Sequence, residues 1–217
     1  IEPALGMRGL VRTSAARYRG LDPAQGGLSL SAGVVGGSLA GASVVRLLDG
    51  RVALWSGIAT LPVLAGLVAG KAALILGGTG QGMGSTLPLA TAYGGAGPWG
   101  SLGASTAAWP SQAFEALMTL GILELVVALR AQGRLRLADG IGFPFAIGSW
   151  AVGRLFVGFT WRDAHVLGPL GGEQLLTLAL ALGATGIYLI RRETLIHLAA
   201  QQEAAGAAAA AAAASAA

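Results

Sequence analysis

Four ionisable residues stand inside apolar stretches of this chain: Lys71, Glu115, Glu124 and Arg154. A charge within a bilayer is costly, so each of them needs a partner or a task. Two readings suit Glu115 and Arg154, a part in catalysis and a structural pairing. A Glu115–Arg154 pair across a helix bundle would cancel two costs at once, which is the structural alternative. Lys71 has three open readings: contact with a lipid phosphate, snorkelling to the interface, or pairing with Glu124.

The elements that must position these residues follow from the apolar pattern. Trp109-Pro110 marks a break, because proline disfavours helix for the residue before it. Ser111 is then expected as an N-cap, with Glu115 in the first turn, where a carboxylate suits the helix dipole. Ala116 to Leu129 is almost wholly aliphatic. Spans of about 20 residues, enough to cross roughly 30 Å of hydrocarbon, are expected at Leu28 to Leu48, Val52 to Gly77, Ala113 to Arg130, Gly140 to Phe159 and Glu173 to Ile190. Gly33, Gly36, Gly37 and Gly41 give the first span a face for close contact. Pro62 predicts a kink in the second. The turn Thr160 to Gly172 holds Trp161, Arg162, Asp163 and His165, with His165 expected in a loop hydrogen bond.

Gly78 to Gln112 carries no charged residue and is dense in Gly, Ser and Thr. That composition fits an extended or partly re-entrant connection covering a cavity, with Trp99 and Trp109 at the interface. The polar segment before the first span contains Arg8, Arg12, Arg17 and Arg19, as expected of an arm lying on lipid headgroups. The chain starts at Ile1 without a signal-peptide pattern, so upstream residues are expected. Ala207 to Ala217 is nearly pure alanine, expected as a disordered tail or a run of stand-in alanines, and no function is assigned to it.

Composition agrees with a membrane bundle. Of 217 residues, 54% are hydrophobic and 11% charged, and the mean hydropathy is +0.67. Soluble domains carry about a quarter charged residues. Without cysteine, disulfides, thiolate catalysis and cysteine metal sites are excluded. The net charge of +4 does not imply nucleic acid, because the arginines flank apolar runs. Arg46, Arg51, Arg130, Arg134, Arg136, Arg191 and Arg192 fall on one side, which the positive-inside rule makes cytoplasmic together with the C-terminus. The expected organisation is a basic arm over 1–27, a helical bundle over 28–192 and a cytoplasmic tail over 193–217.

Several blocks, in order, resemble the prolipoprotein diacylglyceryl transferase family over most of Asp22 to Ile190. Asp22-Pro23 with Gly26-Gly27-Leu28-Ser29 resembles the segment before that family's His-Gly-Gly motif. Gly70-Lys71 and Gly77-Gly78 resemble its glycine-rich signature, and Pro110-Ser111-Gln112 with Glu115 its third block. Arg154 with Asp163-Ala164 resembles its "Phe-Arg…Asp-Ala-Gln" region, and Gln174-Leu175-Leu176 the start of its last helix. The resemblance implies an all-α polytopic membrane bundle in a bacterial inner membrane, five of the family's seven spans being present here. It implies contact with a phosphatidylglycerol-like phospholipid through Lys71, Arg154, Gln112 and Glu115. The family moves a diacylglyceryl group from phosphatidylglycerol to a prolipoprotein cysteine.

The departures fall on the family's chemical groups. Ser31 stands at the histidine position, Lys71 at the signature arginine, Leu74 and Gly77 at its asparagines, Thr79 at its glutamate and Trp109 at a second histidine. Serine is no base near neutral pH, and lysine lacks the bidentate fork that holds phosphate. The resemblance therefore implies a catalytically silent relative, a lipid-binding or structural subunit of a membrane complex. The alternative is an active transferase with Lys71 and Arg154 on the phosphate. A small transporter is a third reading, with no repeat symmetry to favour it. No cofactor or metal is expected, the only histidines being His165 and His197.

Overall fold

The computed structural model describes residues 30–94, 102–136, 139–163 and 165–216. The basic arm, the Asp22 to Ser29 segment, Trp99 and Ala164 lie outside the described residues.

Five helices long and apolar enough to cross a membrane make up the bundle. They are α1 (Leu30–Leu47), α2 (Val52–Leu76), α3 (Ser111–Ala131), α4 (Gly142–Val157) and α5 (Gly172–Ala216). This is an all-helical, multi-pass membrane architecture. A single 3-10 turn, Gly158–Thr160, extends α4. The segment expected to be only a turn also holds a short antiparallel hairpin, β1 (His165–Leu167) and β2 (Leu170–Gly171), reversed at Gly168 with φ +55°.

Each helix forms where the apolar run is unbroken. Pro62 lies inside α2, which continues on both sides of it. Pro144 falls in the first turn of α4, where a missing N–H costs nothing. The core between them is built from Leu64 of α2, Val126 of α3, Ala146, Trp150 and Ala151 of α4 and Ala181 of α5. Trp150, the largest fully buried side chain, fills the centre while alanines around it let the helices approach. α4 is the middle element, packing on α2, α3 and α5, and α1 lies against α2 and α5.

Consecutive helices run in opposite directions, and the two bundle ends differ. At one end, the starts of α2 and α4 meet α5. A Cβ on Gly140 would lie 2.8 Å from Ala53 Cβ and 3.0 Å from the Arg191 guanidinium. This end carries the arginines. At the other end, the starts of α1, α3 and α5 converge with the ends of α2 and α4.

Three expectations are corrected. Among the described residues, Gly33, Gly36 and Gly37 do not form a close-contact face: a Cβ on any of them would meet nothing within 4 Å. Only Gly41 has a contact, with the Trp55 ring of α2. Ser111 is the first helical residue, not the N-cap, which is Pro110. Its hydroxyl is 3.0 Å from the Thr160 carbonyl and 2.7 Å from the Thr160 hydroxyl, tying α3 to the end of α4. Finally, the fifth helix does not stop at Ile190, nor is the alanine run irregular: α5 continues to Ala216. Alanine is the best helix former, which accounts for the continuation. At 1.5 Å per residue its 45 residues span about 68 Å, twice a hydrocarbon layer and more.

Candidate functional site at the end opposite the arginines

α3 carries its polar groups on one stripe. Ser111, Gln112, Glu115 and Thr119 recur at helical spacing and are all buried. Glu115 therefore points into the bundle, in the second turn of α3 and not the first. Lys71, one turn from the end of α2, reaches it at 2.9 Å. Arg154, in the last turn of α4, pairs with the same oxygen, Oε2. Arg154 also reaches Glu173 Oε1 through its Nη2 at 3.0 Å and donates to it from Nε at 3.3 Å. Four helices thus contribute one charge each, and the formal charges sum to zero.

α1 closes the network. Ser31 donates its backbone N–H (3.1 Å) and its hydroxyl (2.7 Å) to Glu173 Oε1 and lies 2.9 Å from the Thr177 hydroxyl. Thr177 in turn donates to the Glu173 carbonyl, one turn back along α5. Two aromatic faces flank the cations. The Trp161 ring lies 4.6 Å from Lys71 Nζ, and the Trp150 ring 5.7 Å from the Arg154 guanidinium carbon. Such contacts favour a desolvated cation. Lys71, Glu115 and Arg154 are each under a tenth exposed.

The connection between α2 and α3 covers this end. Gly82 N–H donates to the Trp109 carbonyl at 2.7 Å, Met83 to Thr160 at 2.9 Å and Trp109 to Met83 at 2.9 Å. Isolated bridges join Ala108 to Gly84 and Thr91. The described parts of the connection are thus irregular but hydrogen-bonded to one another. Gly78 and Gly80 adopt φ of +69° and +74°, conformations that a side chain disfavours. Gly80 rests against Leu74, Trp161 and Gln112. Gln81, buried, donates to the Thr91 carbonyl and accepts from Arg162.

Gln112 sits one turn outward of Glu115 and donates to Tyr93 Oη at 3.2 Å, while that hydroxyl donates to the Ile75 carbonyl at 2.9 Å. One hydroxyl thus joins α2, the connection and α3. Tyr93→Phe is expected to cost about 1–3 kcal/mol, because it strands the buried Gln112 amide. Thermal unfolding of the purified protein checks this, and a cost below about 0.5 kcal/mol contradicts it. Asp163, half-buried past the end of α4, has its carboxyl pushed up from the ordinary value by burial, with Arg154 pulling it back down.

The structure brings together Lys71, Glu115 and Arg154 and places Ser31 at the edge of the same network, while Gln112, one turn from Glu115, bonds to Tyr93 instead. The Glu115–Arg154 pair expected from the sequence is present. Lys71 does not pair with Glu124, which is exposed on the opposite side of α3. Leu74 lies where a Cβ on Gly80 would come within 3.3 Å of it, and its carbonyl accepts from Thr79 at 3.0 Å. His165 is exposed at the start of β1, opposite Gly171.

Glu173 is the member that sequence reasoning missed. Its signal was available: it is the one acid in the first turn of α5, and antiparallel helices place that turn beside Arg154 at the end of α4. Tyr93 and Trp161 carried no comparable signal. Among the described residues there is no group of three or more His, Cys, Asp or Glu able to hold a metal ion.

No family model, no curated protein and no solved structure matches the chain.

Proposed function

We propose that this chain is a catalytically silent relative of the prolipoprotein diacylglyceryl transferases, serving as a structural or lipid-binding subunit of a membrane complex. The observation that carries the reading is the neutral network. Lys71 and Arg154 both spend their charge on Glu115, and Arg154 on Glu173 as well. Cations paired in this way clamp helices together, and gripping a phosphate would mean separating them from carboxylates in a dry environment. The position expected to hold the general base is Ser31, whose hydroxyl is committed to Glu173.

The arginine-rich end faces the cytoplasm of a bacterial inner membrane, and α5 extends into that compartment. The ion network then lies toward the outer leaflet. The experiment is a transfer assay with phosphatidylglycerol vesicles and a lipobox peptide, for which no thioether product is expected.

An active transferase acting on phosphatidylglycerol is the second reading, and one observation favours it. Glu115 Oε1, Gln112 Oε1 and Trp161 Nε1 are buried without a hydrogen-bond partner among the described residues. A lipid hydroxyl group would satisfy such acceptors and donors. The same assay decides between the two.

A further inference from the structure

Of the two carboxylates on α3, Glu124 is the one outside the ion network. It lies nine residues from Glu115, half a rotation at about 100° per residue, so the two carboxylates point in opposite directions. Glu115 points into the network. Glu124 points out, and among the described residues no hydrogen bond or ion pair reaches it. It sits seven residues before Ala131, about 10 Å inside the end of the helix, too far for a short side chain to reach the interface. An ionisable group facing hydrocarbon at that depth is expensive unless something outside this chain meets it.

The surface around Glu124 has the form of a helix-packing seam. Leu117, Gly121, Glu124 and Ala128 recur at spacings of four, three and four, the pattern that keeps one stripe facing a partner helix. All four are exposed, Leu117 to 67%. A Cβ on Gly121 would meet nothing within 4 Å, so a neighbouring backbone can approach closely just above the carboxylate. The inward stripe of the same helix is already occupied by α2 and α4.

We propose that this outward face of α3 docks a transmembrane helix of another polypeptide, which presents a lysine or arginine opposite Glu124. The charge sets the partner chemistry: a cation pairs with the carboxylate, and small residues on either side seat the helix. The proposal rests on the complex-subunit reading and gives that subunit a defined contact face.

The test uses the full chain in lipid vesicles, with a fluorophore on Ala199→Cys, which is unique because the chain has no cysteine. The probes are synthetic leucine–alanine helices of about 20 residues, carrying lysine, leucine or glutamate about 10 Å from one end. Energy transfer reads their association. The lysine helix is expected to associate about tenfold more tightly than the leucine helix. Glu124→Gln should abolish that preference without altering unfolding, since among the described residues no hydrogen bond or ion pair reaches Glu124. Glu124→Lys should reverse it toward the glutamate helix, and Gly121→Leu should weaken both.

Equal association of the three helices, or a lysine preference that survives Glu124→Gln, overturns the proposal. A transfer product in the separate enzymatic assay would instead sink the silent-subunit reading while leaving any charge preference at Glu124 intact.

Discussion

Arg154→Met is expected to lower stability by about 3–5 kcal/mol, the loss seen when one partner of a buried ion pair is removed. The reason lies in the geometry. Arg154 is the only described cation that touches both carboxylates. Without it, Glu173 keeps the Ser31 donors, and Glu115 keeps Lys71 alone. The remaining set carries a net negative charge in a dry environment. The discriminating variant is the double substitution Arg154→Met with Glu173→Gln, which leaves Lys71 and Glu115 as a neutral pair. It should recover a large part of the loss, so the two substitutions are strongly non-additive. Equilibrium unfolding in detergent or vesicles measures all three. Additive losses would show that the four charges do not act as one unit.

Gly82→Ala is expected to cost about 1–3 kcal/mol, as an overpacked site does. A Cβ on Gly82 would collide with the Ser111 hydroxyl and the Thr160 carbonyl. One of those obstacles is backbone and cannot rotate away. The strands of the connection that meet here are held by Gly82–Trp109 and Met83–Thr160 hydrogen bonds, so relief must come from opening the cover. Gly84→Ala is the control, because its nearest neighbour, the Ala107 carbonyl, stands 3.9 Å from the added atom. Limited proteolysis within the connection should rise for Gly82→Ala and stay unchanged for Gly84→Ala. Equal behaviour of the two would contradict the packing seen at this end.

The spans were legible because hydrocarbon imposes one rule, length and apolarity, and this sequence obeys it five times. α2, α3 and α4 begin and end within a few residues of expectation. The tail was not legible: polyalanine has no amphipathic pattern, and its helicity comes from propensity alone. Charges inside spans pointed to Lys71, Glu115 and Arg154, which the structure joins in one ion network, since a buried charge demands a partner. Which partner was not legible. Lys71 had two carboxylates on α3 to choose from, and only the rotation of that helix decides between Glu115 and Glu124. Glu173 escaped because it stands at a helix start, where an acid is ordinary. The covering loop was readable as a loop from its glycines, but its long-range hydrogen bonds have no sequence signature. The glycines of α1 marked a smooth surface, which the described residues meet only at Gly41.

The most direct test of the central claim is transfer by the complete chain. The protein would be placed in vesicles containing phosphatidylglycerol with a lipobox peptide, beside an authentic diacylglyceryl transferase. Mass spectrometry of the peptide reads thioether-linked diacylglycerol. With the network committed to clamping the helices, the folded chain should give no product while the control does. Product from the wild-type chain that is lost in Lys71→Ala and Arg154→Ala would contradict this account and make the network a phosphate site.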